Sequence, residues 1–238
     1  MATKRKSKVA RKAAVAKTRS NGKAKPPAIV NADMFFADAG VGVQDLKTED
    51  LAIPFLKVLQ KMSPELDDLD VRAGDIFNSV TKEGVSGKEG VRVVPCAYRL
   101  EYIEWEPRGT GSGAPVNIYV AGEEIPETQR GEDNKDYVTD GNGRYIERTA
   151  QHYVLVMDED GMTQQALISM KATQFKKSKQ WNSALKSLKM KDNNGRLFTP
   201  ARFSHIWLLK SVAEENKNGS WHGWEISKDS QIEDIALY

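Results

Sequence analysis

The feature that most constrains the fold is a run of fifteen residues, Val91–Trp105, in which side chains alternate between two faces. One face carries Val94, Cys96, Tyr98, Leu100 and Tyr102. A period of two is typical of a β-strand, because successive side chains point to opposite sides of the backbone. Pro95 cannot donate a backbone hydrogen bond, so it predicts an edge or a bend within this strand.

The remainder of the body predicts further strands and one helix in a defined order. A short strand over Asp75–Val80 precedes the long one. After it we expect strands over Arg144–Met157 and Met162–Met170, a helix over Lys171–Lys189, and strands over Arg202–Val212 and Trp221–Lys228. A helix between the third and fourth of five antiparallel strands is the connectivity of the five-stranded OB barrel. We therefore expect a mainly β fold with one or two helices, an OB-like barrel over 75–228. A β-sandwich with one helix stays open as the alternative.

Three other segments flank or interrupt this predicted domain. Glycine, proline and acidic residues dominate 106–143, which predicts a long flexible loop with one small strand at Val116–Val120. Residues 33–74 are expected to form a helix and a linker packed on the main domain, with the helix over Leu51–Met62. Residues 229–238 form a C-terminal segment.

The N-terminus is a strongly basic tail. Residues 1–26 contain ten Lys or Arg and no acid, whereas the remaining 212 residues carry 25 basic and 33 acidic groups. Residues 1–32 have little to bury, so they should be disordered. A nucleic-acid arm that releases counterions from phosphates explains this composition. A transit peptide, a nuclear signal and a solubilising tail are the alternatives.

The predicted helix carries the strongest local charge of the body. Residues 171–196 hold eight basic groups against Asp192, a net charge of +7, while the body outside them is −15. On a helical wheel an apolar stripe (Trp181, Ala184, Leu185 and Leu188) faces the core. The opposite face predicts nucleic-acid contacts by Lys171, Phe175, Lys176, Lys179 and Lys186, with Lys177 nearer the core side. A solvated amphipathic helix is the alternative interpretation.

Aromatic side chains recur on the predicted strands, where they can stack on nucleic-acid bases. Such stacking contributes roughly 1–3 kcal/mol per base and tolerates any sequence. Most rings of a small barrel fill its interior, so few of these aromatics should touch a ligand. Trp105 is favoured because it ends the first long strand beside Arg108 and the loop, and Tyr102 lies on the same strand. On the next long strand, Arg148 and His152 should line the same groove.

The sequence offers little that would support catalysis or membrane insertion. No apolar run approaches the 18 residues of a membrane span. The glycine-rich run 109–113 lacks the Lys-Ser/Thr ending of a P-loop. The histidines and Cys96 have no metal-ligand spacing. We expect no catalytic residue, metal or cofactor.

The single cysteine favours a reducing compartment, so we expect a cytoplasmic protein, in the host cytoplasm if the chain is viral.

Five strings carry a resemblance to known proteins: Asp50–Gln60, Gly74–Asn78, Tyr102–Trp105 followed by Pro107-Arg108, Thr173–Asn182, and Glu215–Trp221. Together they resemble a group of tailed-phage proteins similar in layout to phage single-stranded DNA-binding proteins. The resemblance covers roughly residues 45–228. It implies a role in phage DNA replication or recombination, with proteins of those processes as partners.

The expected function is non-enzymatic, sequence-tolerant binding of single-stranded DNA. RNA as the ligand and an oligomeric state stay open, and no membrane partner is expected. The alternative is a structural or interaction protein of a virion or nucleoid, in which only the basic tail binds nucleic acid. A nuclease that uses the scattered acidic residues is the third interpretation.

Overall fold

The computed structural model describes residues 32–107, 109–140, 142–217, 219–234 and 237. The expected disorder of residues 1–32 therefore falls almost wholly outside the described residues, and Arg108 also lies outside them. The described chain divides into two units between Asp50 and Leu51. In the first unit, helix α1 spans Ala32–Ala37 and a 3-10 turn spans Thr48–Asp50.

The second unit consists mainly of antiparallel β-strands, which confirms the predicted mainly β class. Its helices are α2 (Glu65–Asp68) and α3 (Phe175–Ser187). In chain order its strands are β1 (Leu56–Val58), β2 (Ile76–Asn78), β3 (Gly84–Val85), β4 (Val91–Trp105), β5 (Asn117–Val120), β6 (Thr128–Arg130), β7 (Asp136–Val138), β8 (Tyr145–Met157), β9 (Thr163–Lys171), β10 (Met190–Lys191), β11 (Leu197–Phe198), β12 (His205–Asn216) and β13 (Gly219–Gln231).

The long strand β4 organises the main sheet, which curls into an antiparallel half-barrel. One edge of β4 pairs with β8 along its length, from Arg92 opposite Met157 to Trp105 opposite Tyr145. The other edge pairs with β12 at one end and with β5 at the other. The register on β8 shifts between Pro95 and Ala97, where the proline predicts a bend. A β-bulge of this kind increases the local twist and curvature of a sheet.

The strand order through the sheet is β13-β12-β4-β8, and β8 continues to β9 along one part of its length and to β7 and β6 along another. Strands β1, β2 and β3 form a separate small antiparallel sheet, and β10 and β11 form a hairpin after α3. The segment 106–143 is thus not one long loop, since it contains three short strands, the first of which matches the strand predicted at Val116–Val120.

Helix α3 closes the core of the second unit over the main sheet. Trp181 and Leu185 are buried and pack with sheet residues that include Ala150, Ile168 and Leu209. Burying one side chain of this size contributes roughly 1.5–3 kcal/mol relative to leaving it exposed. The predicted apolar stripe is wrong at Ala184, which is exposed, because Ser178 rather than Ala184 faces the sheet.

Two helix predictions are also wrong: one predicted helix is absent and the other begins later than expected. Leu51–Met62 does not form a helix, because Leu56–Val58 pairs with β2 and buries Leu56 in the core. Lys171 ends strand β9 instead of starting the long helix. A 3-10 turn over Ala172–Gln174 separates it from α3, and Ala172 has a positive φ of 46° there. The chain passes from strand to helix at this point, and apolar periodicity alone does not locate that change.

Candidate functional site

A cleft of about 1010 Å³ opens beside strand β8. Strand β7 pairs with β8 as far as Ile146, and β9 pairs with it only from Thr149 onward. Glu147 and Arg148 lie between these two paired segments, and both line the cleft. The cleft therefore occupies the gap where two neighbouring strands leave the same edge of β8.

Phe175, the first residue of α3, forms the aromatic centre of this site. Its half-buried ring packs against the core on one side and lines the cleft on the other. The guanidinium carbon of Arg148 lies 4.2 Å from the ring centroid, and Nζ of Lys179 lies 5.2 Å from it. Cations over an aromatic face are attracted by its quadrupole, so the ring organises two positive charges around itself.

Arg148 is exposed, and among the described residues no carboxylate lies within ion-pair distance of it. Tyr102 lies directly opposite Arg148 in the β4–β8 register and also lines the cleft. An aromatic ring and a guanidinium at opposed positions of an antiparallel pair share one face of the sheet. The two side chains therefore form a continuous surface with Phe175.

Lys171 lines the cleft and connects it to Trp105. Its Nζ lies 5.5 Å from the centroid of the Trp105 ring and donates to a carboxylate oxygen of Glu147 at 2.7 Å. The ion pair compensates part of the positive charge of Lys171. Trp105 is half-buried, and its indole N–H has no hydrogen-bond partner among the described residues.

The opposite wall of the cleft is the β6–β7 hairpin, which the sequence predicts only as loop. Arg130 donates to Asp136 at 2.8 Å, and Nζ of Lys135 lies 3.2 Å from Asp133 and 4.6 Å from the centroid of Tyr145. The Asp133 carboxylate holds the pKa of Lys135 above its usual range. The signal that marks this hairpin is the Asp133-Asn134 pair, since Asn134 takes the positive φ of 65° that a tight turn needs.

The lysines of α3 divide into two groups with different surroundings. Lys176, Lys179 and Lys186 are exposed. Lys177 instead lies 2.8 Å from Oε1 of Glu214, and the other carboxylate oxygen of Glu214 accepts a hydrogen bond from the indole N–H of Trp221 at 2.8 Å. Lys177 therefore joins the helix to strand β12, whereas the other three leave their charge free for a ligand.

The prediction that His152 lines the groove is wrong, because its ring is buried under α3. Nη2 of Arg202 donates to Nδ1 at 2.8 Å, which leaves Nε2 to donate to the Ser178 hydroxyl at 2.7 Å. The ring also stacks on Trp181, with centroids 4.7 Å apart. Burial, together with the charge of Arg202, lowers the pKa of His152 to about 3. This histidine is a neutral core residue.

Of the predicted site residues, the cleft brings together Tyr102, Arg148, Lys171 and Phe175, with Lys179 and Trp105 next to it. Lys176 and Lys186 lie on the exposed face of α3. Within the described residues no group of three or more His, Cys, Asp or Glu side chains is placed to hold a metal ion. The described helices include none that is long and apolar enough to cross a membrane.

The fold and the cleft define a small antiparallel β protein with a cationic and aromatic surface at one sheet edge. The chain belongs to the family described as Pam3 phage gp34-like protein, which matches residues 19–238. It is therefore a phage protein, and this part of the resemblance noted above is confirmed. Neither the curated proteins nor the solved structures include a match to the chain.

Proposed function

We propose that this chain is a non-enzymatic protein that binds single-stranded DNA with little sequence preference, in phage DNA replication or recombination. The observation that carries the proposal is the Phe175 ring in the wall of an open cleft, with Arg148 and Lys179 over it. A stacking ring next to unpaired cations is what sequence-tolerant binding of single strands requires, since every base has a π-face and every nucleotide a phosphate.

The charge distribution around the cleft supports an anionic ligand. The three carboxylates that line it, Asp133, Asp136 and Glu147, each pair with a lysine or arginine. Arg148 remains without such a partner among the described residues, and the exposed lysines of α3 lie beyond it. A phosphate backbone that follows Arg148 and α3 would meet positive charge that is not already neutralised.

The shape of the site favours single strands over duplex. In a duplex the bases are stacked on each other and unavailable to a protein ring, whereas unpaired bases can splay out and stack on aromatic side chains. Tyr102 and Phe175 line the cleft, so a base must enter it to reach them. The preference for single-stranded over duplex DNA then comes from the access of unpaired bases to the rings. Cations alone would bind both kinds of DNA.

The sheet supports the OB-like interpretation of the fold. Strands β4, β8, β9, β12 and β13 correspond to the five expected strands, and α3 lies in sequence between the third and the fourth. The first of these strands pairs with both the second and the fourth. OB barrels are partly open and bind oligonucleotides on one face, which agrees with a cleft on the second strand.

The test is fluorescence anisotropy with labelled oligo-dT and with a duplex of equal length, using the full chain. Phe175→Leu keeps an apolar side chain against the core but removes the ring. We expect it to weaken single-strand binding roughly 5- to 150-fold, the equivalent of about 1–3 kcal/mol for one stacked base. Arg148→Gln should weaken binding and reduce its salt dependence.

Arg92→Gln is the matched control, because Arg92 is an exposed arginine on β4 that does not line the cleft. It should bind like the wild type. Equal binding by the two cleft variants and by this control would refute the cleft as the site. If single-stranded and double-stranded DNA then bound equally well, and only through residues 1–32, the chain would instead be an interaction protein with a basic tail.

A further inference from the structure

Tyr98 lies on a stretch of strand β4 that is paired along only one edge. On the edge of β4 away from β8, pairing with β12 ends at Val93 and pairing with β5 begins at Glu101. Tyr98 falls in the gap between these points, and it is 38% exposed. The core aromatics Trp181 and Trp207, by contrast, are only 2% and 3% exposed. A base from solution can therefore reach the Tyr98 ring.

A half-buried arginine lies beside this ring. The guanidinium carbon of Arg202 is 5.7 Å from the centroid of Tyr98. Its N–H groups donate to Nδ1 of His152 at 2.8 Å and to Oδ1 of Asn182 at 2.9 Å, which are both neutral acceptors. Among the described residues no carboxylate lies within ion-pair distance of Arg202. A partly buried cation without a counter-ion favours an anionic ligand nearby.

This pair repeats the arrangement seen in the cleft. In both places a partly exposed ring lies close to a guanidinium without a carboxylate partner, at 4.2 Å for Phe175 and Arg148 and at 5.7 Å for Tyr98 and Arg202. Tyr98 and the cleft residue Tyr102 lie on the same face of β4, because they are four residues apart with no register shift between them. Four residues of a strand span about 13 Å.

One face of helix α3 runs from the first pair to the second. Phe175, Lys179, Asn182 and Lys186 follow each other at intervals of four, three and four residues, so they share one face of the helix. Phe175 lines the cleft with Lys179 over its ring, and Asn182 accepts the hydrogen bond from Arg202. Lys179 and Lys186 are exposed. The two ring–guanidinium pairs are thus connected by a helix face that carries free positive charge.

We propose that the single strand continues from the β8 cleft along this face of α3 and stacks a second base on Tyr98. The inference rests on the proposed function, because it assumes that the cleft binds the strand. Arg202 supplies uncompensated positive charge beside the second base, and Lys179 and Lys186 can contact phosphates along the path. Stacking on an aromatic ring accepts any base, so the second position preserves the tolerance of sequence.

The test removes one tyrosine ring from each face of the main sheet. Tyr98→Leu removes the exposed ring. Tyr153→Leu is the matched control, because Tyr153 pairs with Ala97 and so lies on the opposite face of the sheet. Binding of oligo-dT by the full chain is measured by anisotropy, with a melting curve for each variant. We expect Tyr98→Leu to raise Kd roughly 5- to 150-fold, the effect of one stacked base, and Tyr153→Leu to bind like the wild type.

A second measurement keeps the ring in place. The wild-type chain is irradiated with oligo-dT that carries 5-iodouracil and is then digested with trypsin. Adducts are expected on the peptide 93–99, in which Tyr98 is the only aromatic residue, and on the cleft peptide 172–176, which contains Phe175. If Tyr98→Leu does not fold, this measurement decides, and the absence of adducts on 93–99 overturns the second base site.

The outcomes separate this inference from the proposed function. If Tyr98→Leu binds as tightly as Tyr153→Leu while Phe175→Leu binds more weakly, the second base site is overturned and the proposed function stands. If Tyr98→Leu weakens binding and Phe175→Leu does not, a path that begins in the cleft is overturned. A wild-type chain that does not bind oligo-dT overturns both proposals.

Discussion

Phe175 illustrates how one side chain can serve the core and the surface together. Its ring packs against the core cluster and also carries two cations on its cleft side. A base that stacks there must displace Arg148 or stack on its planar guanidinium. For this reason truncation to alanine would mix a stability effect with a binding effect, and leucine is the cleaner replacement.

His152 predicts an acid sensitivity of the fold. Its pKa is about 3 in the folded protein against roughly 6.5 in the unfolded chain, so the unfolded state binds more protons between these values. Stability should therefore fall as the pH drops from about 6.5 toward 3. Between pH 7 and pH 5 the loss from this group is about 2 kcal/mol.

The check is a set of urea unfolding curves at pH 7, 6 and 5 for the wild type and for His152→Gln. The variant should be less stable at pH 7, because it disturbs the contacts with Ser178 and Arg202, but its stability should change less with pH. The pKa of Glu65 and Glu214 is lowered, so these carboxylates titrate below this window. If the stability of both proteins changed equally with pH, the acid sensitivity could not be assigned to His152.

Cys96 should have a structural role. It lies at the bulge of β4, half-buried, where its thiol donates to the carbonyl oxygen of Val94 at 3.4 Å. Burial raises its pKa, so it should stay a thiol at neutral pH. Cys96→Ala is expected to lower the free energy of unfolding by about 1 kcal/mol and to leave the Kd for oligo-dT unchanged. A folded Cys96→Ala protein with weakened binding would place the bulge in the site.

At the scale of elements, α3 separates lysines that look alike in the sequence. Lys176 and Lys179 are exposed, and replacing both with glutamine should shrink the slope of log K against log salt by up to about 1.4, at about 0.7 for each phosphate contact with a single strand. Lys177→Gln is the internal control, because its charge pairs with Glu214. It should lower the melting temperature and hardly change the slope.

Anisotropy titrations at four salt concentrations distinguish these variants. The prediction fails if the three lysines change the slope equally, since the helix would then act as an undirected patch of charge. An unchanged slope in the double variant would remove the exposed face of α3 from the binding surface and leave the cleft residues or the tail to account for binding.

The same helix shows which of its features sequence periodicity predicts and which it does not. Trp181 and Leu185 are buried as predicted from the apolar stripe, because the helical period determines which residues share a face. The sequence pattern places the start of the helix four residues too early, because Lys171 pairs with Thr149 in the sheet. Such a pairing depends on the position of β8, which lies outside the helix in sequence.

At the scale of the whole molecule, a basic tail precedes an acidic body. Residues 1–26 carry ten positive charges, and the remaining 212 residues have a net charge of −8. Flexible cations contact phosphates without reading bases, so the tail should add affinity but no preference for single strands. Removing residues 1–32 should therefore flatten the salt dependence while oligo-dT stays preferred over duplex.

The measurement is a pair of salt titrations, with oligo-dT and with duplex, on the full and the shortened chain. The preference for single strands should survive the deletion if it originates in the cleft. If the shortened chain loses that preference but still unfolds cooperatively, selection for single strands belongs to the tail.

Local sequence pattern is enough to predict the long strand, its bend and the amphipathic helix. Val91–Trp105 forms a strand over the whole predicted range, because a period of two sustained over fifteen residues outweighs any competing local preference. The charge of α3 and the aromatic at its start were also readable, since composition and spacing along one element are local properties.

Which of these residues come into contact depends on how the strands pair and where the helix docks. Arg148 and His152 lie four residues apart on β8, yet one is exposed in the cleft and the other is buried under α3. Arg148 lies on the part of the β8 edge that neither β7 nor β9 pairs with. Helix α3 covers His152, which hydrogen-bonds to Ser178. Strand pairing and helix docking join residues far apart in sequence, and no local period encodes where a neighbouring strand ends.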